Sequence, residues 1–464
     1  MRLHLIIILC LFNLAGFGQT QAITNAMEKL FRDEQFTNAT ISLYVQESGT
    51  GKLIYQHNGD LGINPASSLK VVTSAASFEL LGKDFTFSTR IAVGRSPANG
   101  DQMLIISGGG DPTFGSERWE RTMPKKIFES ISNSLKANGI KELPGGIYVD
   151  NPKFSYQPLP HGWIWEDIGN YFGAGAWGLN WKENIFEIDL LPGREVGDPV
   201  TVTATRPSWM MERITCFVTT GEKGSGDQSL VFSAPYQQDF FITGTVPAGG
   251  KITISASSPE PAATFGHELK EYLKSAGVSS GPVETSAMRL RAGKRLQIES
   301  STELLSIKSP SFDSINHWFM NKSINLYGEA LIKMIGMKKS AEASTEEGIK
   351  IVQDLFFSNG IAKGALKMQD GSGLSPTNRV TTSALVKVME FAQTRPWFNS
   401  FLKGIPEMNN MKLKSGYMEG VRSYTGYVTS STGKKYLVAF VINNFHGNPA
   451  AVRQKMWKVL DVLL

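Results

Sequence analysis

Alternating apolar and polar positions near both ends of the chain predict antiparallel β-strands. In residues 39–46, Ile41, Leu43 and Val45 share one face, and residues 52–57 resume the alternation after a glycine-containing turn. A period of two residues is that of a half-buried strand, and two such runs joined by a short turn form a hairpin. Similar runs predict three more strands towards the carboxyl end, at residues 411–417, 423–429 and 436–443.

The run at residues 66–81 predicts a buried helix. It follows Pro65, stops at Gly82, and carries apolar residues around nearly its whole circumference. Apolar residues on every side of a helix indicate burial, and glycine commonly follows a helix end. Further helical patterns lie at residues 23–32, 259–276, 311–337, 345–359, 383–394 and from about 449.

The middle of the chain has a different pattern. Residues 86–290 contain many short strand-like runs separated by glycine and proline, which is typical of β-rich domains. The helices and strands on both sides predict one discontinuous α+β domain, comprising residues 23–85 and 291–464 and interrupted by a β-rich insertion of one or two domains. Within the insertion, we expect an outer part at about 86–155 and 255–290, and an inner part at about 156–254.

The amino-terminal segment predicts export. Arg2 is followed by an apolar run and then by small residues, including Gly18 and Ala22. The run is too short to cross a bilayer, so the pattern is that of a signal peptide over residues 1–22, cut near Gly18 or Ala22. We therefore expect a periplasmic protein without stable membrane insertion. Lipid modification at Cys10 is disfavoured because bulky residues precede it.

Composition and charge restrict the possible partners. The 464 residues include 47 Lys and Arg against 42 Asp and Glu, and the formal net charge of +5 is weak evidence for any polyanionic partner. We expect no nucleic-acid partner. The histidines lack the spacing of metal ligands. The sequence therefore predicts no metal site and no cofactor. Nothing in the sequence indicates the oligomeric state.

Ser67 and Lys70 are the first candidate pair for chemistry. Ser67-Ser-Leu-Lys70 opens the predicted buried helix, so Lys70 lies one turn after Ser67 on the same face. A hydroxyl is a weak nucleophile unless a base accepts its proton, and an amine can be that base where burial or positive charge favours its neutral form. Ser68 is the alternative nucleophile, but it has no lysine three residues later. Alone, the tetrapeptide is a weak signal, because Ser-x-x-Lys arises by chance.

Two later motifs strengthen this assignment. Ser323-Ile-Asn325 supplies a second hydroxyl for proton relay and an amide for holding substrate. In Lys414-Ser415-Gly416, the lysine supplies a cation that can bind a carboxylate. The glycine has no side chain, so a substrate strand can approach closely. Each motif is weak by itself. The order S-x-x-K, S-x-N, K-[ST]-G is the signature of penicillin-binding proteins and serine β-lactamases.

On these motifs the chain resembles the D-alanyl-D-alanine carboxypeptidase/endopeptidase family, the class C low-molecular-mass penicillin-binding proteins. The resemblance covers nearly the whole chain after the predicted signal peptide, and the long segment between Ser67 and Ser323 suits the two extra domains of this family. Further similar segments are residues 108–113, 325–329, 370–375, 378–379 and 438–443.

The resemblance implies a β-lactamase/transpeptidase-like catalytic domain and a penicillin-sensitive serine D-Ala-D-Ala carboxypeptidase, with endopeptidase activity on cross-links as a further possibility. Its partners would be peptidoglycan peptides and β-lactam antibiotics. Ser67 would be acylated by the penultimate D-Ala carbonyl, and Lys70 would accept its proton. Backbone N–H groups of Ser67 and of the strand just after Gly416 would stabilise the oxyanion.

The family pattern also assigns the remaining motif residues. Ser323 and Asn325 would act in proton relay and positioning, and Lys414 would bind the terminal carboxylate of the substrate. Ser415 stands where threonine is commoner, which retains the hydroxyl, and together with Gly416 it would contact the substrate.

Two other functions stay open at this stage. A β-lactamase or esterase of the same fold would differ by rapid deacylation, and a non-catalytic cell-wall-binding protein would act through the inserted domains. The complete set of reactive residues disfavours the second. The aromatic segment at residues 163–177 is interpreted as core or domain interface, with a glycan-contacting surface as the alternative.

Overall fold

The computed structural model describes residues 19–97, 99–150, 154–293 and 300–464. Most of the predicted signal peptide, residues 1–18, therefore lies outside the described residues. The chain forms two compact units. The first comprises the residues up to Lys83 together with Phe312–Ile324 and Gly348–Leu464, and the second comprises Asp84–Ser311 and Asn325–Glu347.

The first unit is built on a six-stranded antiparallel sheet. The predicted hairpin and the three predicted carboxyl-terminal strands are confirmed as neighbours in this sheet. Almost every residue of the central strand, Lys435–Asn443, is buried, because both faces of the sheet are covered. In spatial order the strands are Leu53–His57, Thr40–Glu47, Lys435–Asn443, Val421–Thr429, Met411–Met418 and Glu407–Met408.

Helices cover the two faces of this sheet. Ile41, Leu43 and Val45 point into a core that also contains the helix at residues 19–31 and the helix Pro449–Leu460. The intervening Ser42 points the other way, and its hydroxyl bonds Thr382 at 2.7 Å. The helices and 3-10 turns with named bounds are Glu34–Phe36, Ala66–Leu69, Lys70–Leu80, Phe312–Asn321, Thr345–Ser358, Thr382–Gln393, Phe398–Gly404, Pro449–Leu460 and Asp461–Leu463, with a small ladder between Leu366–Lys367 and Arg379–Val380.

The prediction of a single helix over residues 311–337 is wrong, because the helix is interrupted. The structure has two helices, Phe312–Asn321 and Asn325–Gly336, separated by a short turn. Ser323 lies in that turn with a φ of 57°, a left-handed conformation that a continuous right-handed helix cannot contain. The hydrophobic pattern continues across the break, so periodicity alone did not reveal it.

The described residues of the second unit form two large apolar cores and a small apolar cluster of Ala92, Met103, Ile105 and Tyr148. The first lies between a five-stranded mixed sheet and the helices Pro124–Ala137 and Pro261–Ser275, and it includes Trp181. Helix Pro124–Ala137 was not predicted. The sheet strands, in spatial order, are Val283–Thr285, Ile147–Asp150, Gln102–Ser107, Ser88–Arg95 and Ser301–Lys308, and a small ladder pairs Glu142–Leu143 with Ser279–Ser280.

The second core of this unit is formed mainly by short strands, together with Met210 of a 3-10 turn and with Val200 and Val218 of connecting segments. It includes Ile188, Ile242 and Val246. Its strands are Ile185–Leu191, Thr201–Arg206, Ile214–Cys216, Thr219–Gly221, Leu230–Phe232, Phe240–Thr243, Thr245–Pro247 and Ile252–Ser257. Short helices and 3-10 turns of the unit are Glu120–Thr122, Trp165–Ile168, Tyr171–Gly173, Lys182–Asn184, Ser208–Arg213 and Ser286–Arg291.

The compact units divide the chain differently from the expected domain limits. The first division falls at Lys83, close to the expected limit after residue 85, but the chain returns to the first unit only at Phe312. Residues 325–347, expected in the catalytic domain, belong to the second unit. The domain limits themselves stay a prediction.

The segment at residues 163–177 has both buried and exposed aromatic side chains. Trp163 and Trp177 are buried, whereas Trp165 and Tyr171 are exposed. The buried pair agrees with the core interpretation, and the exposed pair leaves the alternative open. Within the described ranges, no helix combines the length and apolarity that crossing a bilayer requires.

Candidate active site

The turn that carries Ser67 has a specific backbone conformation. Ser67 lies in the 3-10 turn Ala66–Leu69, directly before the α-helix Lys70–Leu80. The helix end at Gly82 agrees with the prediction, whereas the first turn is 3-10 and not α. Ala66 has a φ of 44°, and its N–H donates to the side-chain oxygen of Asn64 at 2.8 Å. Ser67 is partly exposed between buried neighbours, so its hydroxyl is accessible.

Lys70 is fully buried and lies against the Ser67 hydroxyl. Its Nζ donates to Ser67 Oγ at 2.9 Å and to the main-chain oxygen of Ser372 at 2.6 Å. The ring of Phe319 has its centroid 5.9 Å from the same nitrogen. These contacts fix the position of the amine. One of its hydrogen-bond partners is the Ser67 hydroxyl, the group that it would deprotonate.

Ser68, the alternative nucleophile, points into the protein. It is completely buried, and its Oγ lies 2.8 Å from the hydroxyl of Ser423 and donates to the Lys414 carbonyl at 3.2 Å. A buried hydroxyl bonded to a strand has no access to substrate. The structure therefore favours Ser67 over Ser68 as the reactive hydroxyl.

The second hydroxyl and the second lysine form another pair. Lys414 Nζ donates to Ser323 Oγ at 2.9 Å and to the carbonyl of Ser415 at 2.9 Å. Lys414 is 2% exposed, and burial together with the positive charge of Lys70 lowers its pKa well below the usual value. Ser67, Lys70, Ser323 and Lys414, all expected from the sequence, are thus brought together in the first compact unit.

Gly416 lies against the turn that carries Ser67. A Cβ at this position would be 2.8 Å from the Pro65 oxygen, 2.8 Å from the Ser67 nitrogen and 2.3 Å from Ser423 Oγ. Contacts within the protein therefore require glycine at this position. The reason predicted from the sequence was different, namely room for a substrate strand. Ser415 is the partly exposed neighbour on the same strand.

A loop at residues 370–378 contacts Lys70 through the Ser372 carbonyl. No role for this loop was predicted from the sequence. Asp370 is completely buried, and its carboxylate accepts from the N–H groups of Gly373 at 2.8 Å and Ser375 at 2.6 Å. The Asn378 amide donates to the same carboxylate at 3.0 Å. These bonds fix the main chain at Ser372, whose carbonyl binds Lys70. The signal available in the sequence was an aspartate at the start of a glycine-rich segment, Asp370-Gly-Ser-Gly373.

Asn325 lies in the second compact unit, at the first residue of helix Asn325–Gly336. Its amide donates to the Phe172 carbonyl at 2.8 Å. The same helix is anchored by the Tyr327 hydroxyl, which donates to Glu183 at 2.6 Å, and by buried Lys333, which donates to two main-chain carbonyls. These bonds fix the orientation of the Asn325 side chain within its unit.

The chemistry available in the first unit is that of a hydroxyl beside a buried amine. A second hydroxyl and amine lie close enough to influence the first pair electrostatically. Across the described residues, no group of three or more His, Cys, Asp or Glu side chains has the arrangement of a metal site. The arrangement suits nucleophilic attack by a serine with a lysine as its base.

Comparisons with known proteins agree with this chemistry. The chain is 27% identical to the D-alanyl-D-alanine carboxypeptidase of Actinomadura sp. (strain R39), over 91% of this chain and 81% of the relative. It is 22% identical to the D-alanyl-D-alanine carboxypeptidase DacB of Haemophilus influenzae, over 88% of this chain and 86% of that protein.

A solved structure shares the fold. The crystal structure of penicillin binding protein 4 (dacB) from Haemophilus influenzae superposes with a TM-score of 0.74 at 19% sequence identity, covering 94% of this chain and 97% of that one. This likeness confirms the α+β fold class. Residues 23–463 match the profile of the D-Ala-D-Ala carboxypeptidase 3 (S13) family. The chain therefore belongs to the D-Ala-D-Ala carboxypeptidase 3 (S13) family.

Proposed function

We propose that this protein is a serine D-Ala-D-Ala carboxypeptidase that cleaves peptidoglycan stem peptides through an acyl-enzyme on Ser67. The observation that carries the proposal is the 2.9 Å contact between Ser67 Oγ and the buried Lys70 Nζ. Membership of the S13 family supports the substrate class. Action on cross-links as an endopeptidase stays a prediction from the family resemblance.

In the proposed acylation step, Lys70 accepts the Ser67 proton while Oγ attacks the carbonyl of the penultimate D-Ala. The buried position of Lys70 opposes its charged form, so more of the amine is neutral and able to accept a proton. The negative charge on the carbonyl oxygen is bound by the N–H of Ser67 and by the N–H that follows Gly416 on its strand. The terminal D-Ala then leaves as the amine, and water hydrolyses the ester.

Ser323 and Lys414 supply the proton and the charge that the leaving group needs. Ser323 Oγ accepts from Lys414 at 2.9 Å, so its own proton is directed elsewhere and can pass to the departing nitrogen. In the proposed relay, the proton that Lys70 took from Ser67 then returns to Ser323, so acylation leaves neither side chain with a changed charge. In its charged form, Lys414 attracts the terminal carboxylate of the substrate together with the Ser415 hydroxyl, and the negative charge of that carboxylate in turn favours the charged amine. Asn325 would hold the substrate backbone. A β-lactam would acylate Ser67 by the same steps and remain bound.

We also propose that the protein is exported to the periplasm and that residues 23–85 and 291–464 form the catalytic domain around the insertion. The helix at residues 19–31 supports processing near Gly18 over Ala22. Gln19 donates to the Val462 carbonyl and Thr20 to the Ile54 carbonyl, and cleavage after residue 22 would remove both contacts. Mass measurement of the secreted protein distinguishes the two sites.

The test of the proposed function is D-Ala release from a purified pentapeptide muropeptide. The wild-type protein should release the terminal D-Ala and should be inhibited by penicillin. Ser67→Ala should lose about 10³-fold or more in rate, the loss expected when a catalytic nucleophile is removed. Ser68→Ala is the matched control. Because Ser68 is buried, its replacement should lower the stability of the protein without abolishing D-Ala release.

Three outcomes would contradict the proposal. Unchanged release by Ser67→Ala would exclude this residue as nucleophile. Rapid turnover of penicillin without D-Ala release would indicate a β-lactamase of the same fold. A folded wild-type protein that binds sacculi but releases no D-Ala would indicate a non-catalytic wall-binding protein.

A further inference from the structure

The second compact unit contains a cavity that lies apart from the proposed chemistry. Its volume is about 490 Å³, inside the range of small-molecule sites, roughly 300–1,000 Å³. The described residues that line it include none of those proposed for catalysis. Its walls come from helix Pro261–Ser275, the 3-10 turn Ser208–Arg213, the loop at 236–238 and helix Ser286–Arg291.

One helix contributes a continuous stripe to this cavity. Ala263, Thr264, His267 and Glu271 line it, and their spacing of three to four residues places them on one face of Pro261–Ser275. The stripe combines two small residues, Ala263 and Thr264, with the longer polar side chains of His267 and Glu271. It therefore leaves space for a ligand along the helix while offering it polar contacts.

An aromatic surface stands next to this stripe. Trp209 is half-buried, and its ring centroid is 5.8 Å from that of His267 with the planes tilted by 58°. Met210 and Met288 add apolar surface to the lining. A half-buried indole in the lining, beside polar side chains, suits a ligand with one apolar face and a polar edge, such as a pyranose ring.

The charges of the lining balance. Its charged side chains are Arg213, Arg291, Glu260 and Glu271, which are two cations and two anions. His267 adds no charge at neutral pH, because partial burial and the nearby positive charges lower its pKa below the usual value. A balanced lining gives no selectivity for a phosphate or an ammonium group. It favours a neutral ligand with many hydrogen-bonding groups.

Part of the lining is fixed before any ligand binds. Glu260 pairs with Arg291 at 3.0 Å and accepts from the Thr285 hydroxyl at 2.6 Å. The Tyr236 carbonyl accepts from Arg291 at 3.3 Å, and the Tyr236 hydroxyl donates to the Tyr156 carbonyl at 2.8 Å. Walls held by such bonds lose little conformational entropy on binding.

We propose that this cavity binds a neutral N-acetylated hexosamine saccharide, the chemistry of a cell-wall glycan. The Trp209 face would stack on the C–H face of a sugar ring. The side-chain amides of Gln237 and Gln238, which also line the cavity, can each donate to and accept from an acetamido group. Glu271 and Arg213 would bind ring hydroxyls. The proposal concerns the second unit alone and does not depend on chemistry at Ser67.

The probe for this site is tri-N-acetylchitotriose, a neutral oligomer of N-acetylhexosamine that has no peptide to bind elsewhere. The Ser67→Ala protein should bind it as the wild type does, in a saturable titration followed by calorimetry or saturation-transfer NMR. Trp209→Ala should weaken binding at least about tenfold, the loss expected for one stacked aromatic contact. Trp209→Phe keeps an aromatic face and should retain most of the affinity.

Phe217→Ala is the matched control, because this aromatic side chain of the same unit is 63% exposed and does not line the cavity. The Phe217→Ala variant should bind the trisaccharide with the affinity of the wild type. Equal affinity of wild type and Trp209→Ala, with both folded, would overturn the proposal. So would the absence of saturable binding up to about 10 mM, a concentration that reveals even weak sites. Displacement of the trisaccharide by inorganic phosphate would also overturn it, because it would identify an anion site.

Discussion

At the scale of single residues, Gly416 has no room for any side chain. We predict that Gly416→Ala displaces the turn bearing Ser67, because its Cβ would be 2.8 Å from both the Pro65 oxygen and the Ser67 nitrogen. The rate of acylation by a fluorescent penicillin should fall about 100-fold or more, and stability by about 2 kcal/mol, as overpacking against main chain commonly costs.

The control for this change is Gly250→Ala. A Cβ at Gly250 meets nothing within 4 Å, so this variant should label at the wild-type rate. If Gly416→Ala labelled as fast as Gly250→Ala, the close approach between the strand Met411–Met418 and the nucleophile turn would be refuted.

Asp111 gives a residue-scale prediction about pH. It is buried, its Oδ2 has no hydrogen-bond partner within the described part of the chain, and burial raises its pKa to about 6. A carboxyl whose folded pKa is raised destabilises the fold as pH rises from its unfolded value towards 6 and above. Asp111→Asn should therefore stabilise the protein at pH 7.5, by up to about 3 kcal/mol at 1.36 kcal/mol per pH unit, and by little near pH 4.

Thermal melts at these two pH values check the sign. Asn keeps an acceptor for the bonds that Thr113 donates to Asp111 at 2.8 Å and 2.6 Å. Asp239→Asn, at an exposed position, should change neither melt. A stabilisation by Asp111→Asn that is the same at both pH values would show that ionisation of this group is not the cause.

At the scale of elements, the loop at residues 370–378 positions Lys70 through the Ser372 carbonyl. We predict that Asp370→Ala lowers the rate of acylation about 10- to 100-fold. The N–H groups of Gly373 and Ser375 would lose their acceptor, and the Ser372 carbonyl would no longer be fixed for Lys70. Stopped-flow labelling with penicillin measures this rate.

The conservative variant separates positioning from simple loss of structure. Asp370→Asn retains one acceptor oxygen and should recover most of the rate at an unchanged affinity for the substrate. Equal losses in both variants, accompanied by a collapsed thermal transition, would show that Asp370 has only a structural role.

The elements also show what sequence patterns could and could not predict. Strand pairs were predictable because the alternation of Ile41, Leu43 and Val45 records which face is buried. Helix Pro124–Ala137 was missed, although Pro124 at its first position and Gly139 after its end are available signals. The break at Ser323 was not predictable from periodicity, because it depends on a left-handed residue whose hydroxyl bonds Lys414 across a large sequence separation.

The same distinction holds for the site. Ser67, Lys70, Ser323 and Lys414 could be named from three short motifs, since their order is informative even where each motif is weak. The support from Ser372 could not be named, because a main-chain carbonyl leaves no signature of its own in the sequence.

At the scale of the whole molecule, the chain is two compact units, each with cores of its own. Ser67, Lys70, Ser323 and Lys414 lie in the first unit, and Asn325 and the proposed saccharide cavity lie in the second. Length and pattern predicted the existence of an insertion. They did not show that helix Asn325–Gly336 belongs with the second unit, because its apolar face does not reveal which core it enters.

The most direct test of the central claim is the site of covalent attachment of a β-lactam. The folded wild-type protein is incubated with penicillin, digested, and mapped by tandem mass spectrometry. We predict that the added mass is located on Ser67, that it is absent from Ser68 and Ser323, and that Ser67→Ala acquires none. A penicilloyl group on any other residue, or equal labelling of Ser67→Ala, would contradict the account.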